Sequence, residues 1–121
     1  MVNSRAKGKR GEHMACEALR SLGIEARRSV QYSGQAGDDD LITSVQGIGF
    51  EVKNTNRLQP YPFIDQAAHQ CKRGSSRLPV VLMRSDNREF LCMFRLADLW
   101  LIMERFNAAR VPVRNYQQPE V

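Results

Sequence analysis

The stretch Ile-Gly-Phe-Glu-Val-Lys that begins at Ile48 most strongly constrains how this chain can fold. Its large apolar residues recur at every second position, which is typical of a β-strand because successive strand side chains point to opposite faces. Ile48, Phe50 and Val52 therefore share one face, and Glu51 and Lys53 share the other. Such a strand must bury its apolar face against another layer while it presents a carboxylate and an ammonium group on the opposite face.

The rest of the chain alternates between helical and strand periodicity. Glu12, Ala15, Leu19 and Leu22 recur at helical spacing and predict a first helix over residues 4–22, which Gly23 would end. The further predicted segments are strands at 25–31, 40–45 and 48–53, a helix at 62–73, strands at 78–83 and 89–95, and a helix at 97–106. The turn signal Gln46-Gly47 would join the second and third strands as a hairpin. The order α-β-β-β-α-β-β-α predicts an α/β domain with a central mixed five-stranded sheet flanked by helices.

The charge balance indicates a polyanionic partner. The 121 residues, 42% hydrophobic and 26% charged, suit one soluble globular domain, and the net charge is +5. This favours nucleic acid over a membrane surface, although a basic solvated surface without a partner would carry the same charge. No apolar run approaches the roughly 20 residues of a membrane helix. We therefore expect no membrane partner and a cytoplasmic protein, in the host cytoplasm if the chain is viral.

Neither cysteine spacing nor glycine motifs indicate another class of site. Cys16, Cys71 and Cys92 are far apart and form no C-x-x-C pair, so we predict small buried thiols in a reducing compartment. The sequence has no G-x-x-x-x-G-K and no G-x-G-x-x-G motif, so no nucleotide cofactor is expected. The apolar residues of the last helix, which include Trp100, predict a core face or a dimer face.

Acidic residues converge on the predicted hairpin. The run that ends at Asp40 opens it, Glu51 lies on its second strand, and Glu12 lies on the apolar side of the first helix. Paired carboxylates are ligands for a hard cation such as Mg²⁺, which activates water and stabilises charge on a phosphodiester. Lys53 would orient the water or neutralise the transition state. Each residue also has a simpler interpretation. Glu51 and Lys53 would form a surface ion pair, the aspartate run would be a solvated turn, and Glu12 would be an exposed helix residue.

The order of these motifs resembles the PD-(D/E)xK nuclease superfamily, and more narrowly its archaeal-type and phage Holliday junction resolvases. The resemblance covers about residues 4–104. It rests on K-G-K-R-G-E at 7–12, Ser33-Gly34, D-D-L-I at 39–42, F-E-V-K at 50–53, Gln70, L-P-V-V-L at 78–82 and F-L-C-M-F-R-L-A-D-L at 90–99. It implies a restriction-endonuclease-like core in a single nuclease domain over residues 1–107, followed by a flexible or partner-packed tail at 108–121.

The resemblance also assigns roles to individual residues. Mg²⁺, for which Mn²⁺ can substitute, would be bound by Asp40, Glu51, the Val52 carbonyl and, directly or through water, Glu12. Lys53 is the motif lysine, and the other implied catalytic residues are Gln70, with Gln66 as a second candidate, and Ser33 in a loop over the cleaved strand. The family's proline before the aspartate is Asp39 here, so Asp39 is an alternative ligand. Asp40 is favoured because Leu41-Ile42 follows it.

The function implied by the resemblance is resolution of four-way DNA junctions. A homodimeric Mg²⁺-dependent endodeoxyribonuclease would nick two strands in a coordinated way, with water attacking in line and no covalent intermediate. Candidate phosphate contacts are Lys7, Lys9, Arg10, Arg27, Arg28, Arg57, Lys72 and Arg73. Two alternatives stay open: the same fold acting on a flap, a nick or a restriction site, and a DNA-binding protein without catalysis.

Overall fold

A computed structural model describes residues 4–29, 39–71 and 76–110 of the chain. The elements in order are α1 (Ser4–Ser21), β1 (Ala26–Arg28), β2 (Leu41–Thr43), β3 (Ile48–Asn54), α2 (Pro60–Cys71), β4 (Leu78–Arg84), β5 (Leu91–Met93), a 3₁₀ turn (Leu96–Asp98) and α3 (Leu99–Ala109). The mixed α/β class is therefore confirmed. None of the helices in these three ranges combines the length and the apolarity needed to cross a bilayer.

The strands form two sheets in the described residues, and a single five-stranded sheet is not confirmed. β3 pairs in parallel with β4, which pairs antiparallel with β5, while β1 and β2 form a separate antiparallel pair. The predicted β2–β3 hairpin is wrong, because no ladder joins these strands. They meet at Asp40, whose N–H donates to the Phe50 carbonyl at 3.1 Å and whose Oδ2 accepts from the Val52 N–H at 2.8 Å. The Asp40 carboxylate thus accepts the hydrogen bond from the Val52 N–H, which a paired strand would otherwise have accepted through a backbone carbonyl.

Helices cover both faces of the central sheet. Phe50 and its neighbours on β3 and β4 pack with residues of α1 and α3, and the Phe50 and Phe106 rings meet edge to face at 6.0 Å. The opposite face packs on α2. The first cluster contains Ala15, Cys16, Leu19, Ile48, Phe50, Val52, Val80, Leu82 and Ile102, and the second contains Ile64, Ala67, Val81 and Met83. β4 contributes to both apolar clusters, whereas β3 contributes to the first and turns Glu51 and Lys53 toward α2.

Element ends differ from the sequence predictions by a few residues. α2 begins at Pro60 instead of Pro62, because both prolines fit the first turn, where a backbone N–H has no helical partner. α3 runs through Ala109, beyond the predicted domain limit at 107, and residues 111–121 of the predicted tail lie outside the described part. Leu22 follows the end of α1 and is exposed. The thiols of Cys16 and Cys71 are buried as predicted, whereas Cys92 is exposed on β5.

Two glycines of the first helical segment should respond oppositely to alanine. Gly23 ends the segment with φ +86°, a left-handed conformation in which a Cβ is strained, and its N–H donates to the Arg20 carbonyl at 3.0 Å. Gly23→Ala should lower the free energy of unfolding by about 1–2 kcal/mol. Gly8→Ala should raise it by roughly 0.5–1 kcal/mol, because Gly8 lies inside the helix and an added Cβ would contact nothing. Urea unfolding of both variants tests this; equal shifts would contradict it.

Candidate active site

Asp40 and Glu51 are brought together where β2 begins beside β3. The Val52 N–H donates to Asp40 Oδ2 at 2.8 Å, which holds this carboxylate against the strand that carries Glu51. Glu51 is 5% exposed and is the buried charged side chain within the described part of the chain. Local sequence explains the placement, since the alternation of β3 turns Glu51 away from Phe50 and toward the face that α2 covers.

Lys53 lies on the same face of β3, two residues after Glu51. Its Nζ donates to Gln66 Oε1 of α2 at 2.7 Å and lies 3.6 Å from Glu51 Oε1. The ammonium group also lies 5.3 Å from the centre of the Phe63 ring, within the range of a cation–π interaction. Three neighbours therefore fix the position of this cation beside the buried carboxylate.

Burial disfavours the charged form of both carboxyl groups. Burial raises the pKa of Asp40 to about 6; the Glu12 and Asp39 charges add to the rise, and the hydrogen bond from Val52 and the Lys53 charge oppose it. Burial likewise raises the pKa of Glu51 to about 7, with a further rise from Asp40, while Lys53 opposes it. One ammonium group thus does not fully compensate the acidic side chains around it.

This donor set fits a hard divalent cation. Within residues 4–29, 39–71 and 76–110, no three acidic, histidine or cysteine side chains converge closely enough to hold a metal on their own. Mg²⁺ commonly uses one or two carboxylates and completes its shell with water and phosphate oxygens, so Asp40, Glu51 and the adjacent Val52 carbonyl suffice. A cation there would also favour the charged form of both carboxyls and so oppose the burial that raises their pKa values.

Glu12 is engaged by an arginine. Arg28 Nε lies 2.8 Å from Glu12 Oε1, and both side chains are partly buried. Glu12 still contributes to the raised pKa values of Asp40 and Glu51, so α1 brings its carboxylate into the electrostatic range of the site. Arg28, predicted as a phosphate contact, here neutralises a candidate metal ligand.

Asp39 and Asp40 have different surroundings in the structure. Asp39 forms an ion pair with Arg77, the residue before β4, whereas Asp40 lies against Val52 beside Glu51. This arrangement favours Asp40 over Asp39 as the ligand. No pattern in the sequence points to Arg77 as a neighbour of the candidate site. The sequence predicts that Arg77 directly precedes a buried strand, but no spacing rule links residue 77 to residue 39.

Among the described residues, most of the predicted phosphate contacts are exposed. Lys7 forms an ion pair with Asp86 at 2.9 Å, which occupies one of the predicted phosphate contacts. Lys9, Arg10, Arg27 and Arg57 are exposed. Gln70 lies on α2 one turn after Gln66, so it shares the helix side that carries the Lys53 contact. Ser33, Lys72 and Arg73 lie outside the described residues.

The raised pKa values predict a pH-dependent stability in the metal-free protein. Both carboxyls bind protons more tightly when folded than in the unfolded chain, where their pKa is about 4. Their contribution to stability is therefore fully present below about pH 4 and is lost as the pH rises through 6 to 7. Glu51→Gln removes one of these groups and should raise the melting temperature at pH 8 by roughly 5 °C relative to wild type, and by less at pH 5. Thermal melts in EDTA measure this difference; a value independent of pH would contradict it.

Comparison with known proteins identifies the fold. The chain is similar to Archaeoglobus fulgidus Hjc, a Holliday junction resolvase from an archaeal hyperthermophile, with a TM-score of 0.55 and 17% sequence identity over 72% of this chain and 76% of that chain. No protein-family model and no curated protein sequence matches this chain. The likeness supports the resolvase-type fold that the motifs predict. At this identity it concerns the fold alone.

Proposed function

We propose that this protein is a Mg²⁺-dependent endodeoxyribonuclease, with Mn²⁺ able to replace Mg²⁺. The observation that carries the proposal is the grouping of Asp40, directly before β2, with Glu51 and Lys53 of β3, which sets a buried carboxylate next to a fixed ammonium group. The similarity of the fold to that of an archaeal Holliday junction resolvase supports it. The same three residues are among those on which the sequence resemblance rests. A non-catalytic DNA-binding protein would not need two neighbouring carboxylates, Glu51 and Asp40, whose negative charges are incompletely compensated.

The side chains divide the work of phosphodiester hydrolysis. Asp40, Glu51 and the Val52 carbonyl would hold the cation, which supplies neutralisation of phosphate charge and a lower pKa for water. Lys53 is placed by Gln66 and Glu51 to donate to the attacking water or to a non-bridging phosphate oxygen. Glu12 contributes a further carboxylate, which Arg28 keeps neutralised in the protein without DNA.

We further propose four-way DNA junctions as the substrate. A small domain has little room for base-edge contacts, so recognition by DNA shape and phosphate position is expected. The decisive experiment incubates the protein with a synthetic four-way junction, a matched linear duplex, a flap and a nicked duplex, each with Mg²⁺, Mn²⁺ or EDTA. Paired nicks in the junction alone support the proposal. Preferential cleavage of another substrate would leave a nuclease of different specificity, and binding without cleavage would indicate a DNA-binding protein.

We also propose that the protein acts as a homodimer, because α3 and the 3₁₀ turn before it carry an apolar stripe without cover in the described chain. Leu96 and Trp100 are 82% and 77% exposed, and Met103 continues the same stripe, while Ile102 on the opposite side is buried in the core. A second copy of the chain would cover this stripe and place two active sites on one symmetric body. Sedimentation velocity at micromolar concentration distinguishes a dimer from a monomer.

A further inference from the structure

The Asp39 side chain lies in a cradle next to the proposed metal site. It is 12% exposed and pairs with the Arg77 guanidinium group. The cradle is completed by Gly49 of β3, where an added Cβ would lie 2.9 Å from Asp39 Oδ1 and 2.6 Å from Cys71 Sγ. The carboxylate therefore rests directly on the strand backbone, at a place that admits no larger side chain. The contacts with Gly49 and Arg77 thus hold Asp39 near the beginning of β3 and β4.

Arg77 is itself anchored to the central sheet. It immediately precedes Leu78, whose N–H donates to the Gly47 carbonyl at 2.8 Å and whose Cα is in register with Ile48. The Asp39–Arg77 ion pair thus connects the backbone that carries Asp40 to the beginning of the β3–β4 ladder. Asp40 directly precedes β2, which pairs with β1 over three residues and shares no ladder with β3, so the position of Asp40 depends on contacts of this kind.

We propose that Asp39 and Arg77 are positioning residues for the metal site, and that their ion pair holds Asp40 at the distance from Glu51 that cation binding requires. This inference rests on the proposed metal-dependent function. The ion pair restrains the residue directly before Asp40, and the Val52 N–H restrains the Asp40 carboxylate, so the ligand is fixed from two directions. Groups that orient a ligand without touching the metal commonly change metal affinity by 10- to 100-fold.

A Mn²⁺ titration without DNA, followed by the electron paramagnetic resonance signal of free Mn²⁺, separates positioning from two other roles. If the pair positions Asp40, Arg77→Met and Asp39→Asn should each weaken Mn²⁺ binding about tenfold. The double variant should be no weaker than either single one, because both break the same contact. If Asp39 acted only through its charge, or were itself a ligand, Asp39→Asn would weaken binding while Arg77→Met, which leaves that charge uncompensated, would strengthen it.

Three further measurements make the test decisive. Arg95→Met removes an exposed ion pair with Asp65 and should leave Mn²⁺ affinity unchanged. Arg77→Lys keeps the positive charge and should recover part of the Mn²⁺ affinity. Circular dichroism identifies any Arg77 variant that fails to fold. In that case Asp39→Asn alone tests the ion pair. Wild-type affinity in both Arg77→Met and Asp39→Asn would overturn the positioning role alone. Absence of Mn²⁺ binding in the wild type would overturn the proposed function and this inference with it.

Discussion

Asp40→Asn and Glu51→Gln should each lower Mg²⁺-supported cleavage of a four-way junction about a thousandfold. A bound cation contributes several kcal/mol to transition-state stabilisation, and each 1.36 kcal/mol corresponds to a factor of ten in rate. The substitutions are nearly isosteric, and an amide oxygen at residue 40 can still accept the Val52 N–H. The loss would therefore report the missing ligand charge and not a displaced β2.

Single-turnover cleavage at saturating protein measures this loss, and binding of the uncleaved junction in Ca²⁺ should change little. Asp65→Asn is a matched control, because Asp65 is an exposed carboxylate paired with Arg95 on the outer surface. Full cleavage activity in Asp40→Asn would show that the ligand assignment is wrong. Loss of both cleavage and junction binding would point to a structural effect of the substitution.

Lys53→Met should lower the single-turnover rate about a hundredfold while the junction still binds. The ammonium group is held within 3.6 Å of Glu51 and 2.7 Å of Gln66, so it is already placed for charge that develops on the phosphate. Removal of one preorganised donor commonly costs a factor of 10²–10³ in rate. Methionine keeps the apolar stem that packs near the Phe63 ring.

A second variant distinguishes the effect of the Lys53 ammonium group from that of the hydrogen bond to Gln66. Gln66→Ala leaves the ammonium group but removes the hydrogen bond that orients it, so the rate should fall less, by about tenfold. Arg88→Met, which removes an exposed cation paired with Glu89, is the matched control for a loss of one positive charge. Equal losses in Lys53→Met and Arg88→Met would attribute the effect to general electrostatic attraction of DNA.

Local pattern was sufficient to predict the parts of the fold that are periodic. The alternation around Phe50 and the apolar run before Met83 correctly predicted β3 and β4, and helical spacing with Gly23 predicted the extent of α1 to within one residue. The same alternation put Glu51 and Lys53 on one face, as the structure shows. These features depend on neighbours in the chain, so a single sequence contains them.

Features that depend on distant parts of the chain could not be predicted in this way. The ion pair between Asp39 and Arg77 joins residues far apart in sequence, and the Asp40 carboxylate replaces a strand partner that hairpin rules would have supplied. In the resemblance drawn from sequence, a proline precedes the metal-binding aspartate. Asp39 stands at that position here, and its ion pair supplies a tertiary restraint where proline would supply a covalent one. Only the folded structure reveals that an ion pair stands where the family has a proline.

The position of β3 between helices on both faces of the sheet also bears on how the protein opens. Segments covered on both sides exchange their amide protons only in large unfolding events, whereas thinly covered ends open often and at low cost. β3 belongs to the first kind of segment, because it pairs with β4 over seven residues. The β1–β2 pair belongs to the second, because it spans three residues and shares no ladder with another described strand. Local unfolding of β1 and β2 can therefore separate Asp40 from Val52 and Glu51 while β3 stays folded. The proposed metal site would then open reversibly well before the whole fold is lost.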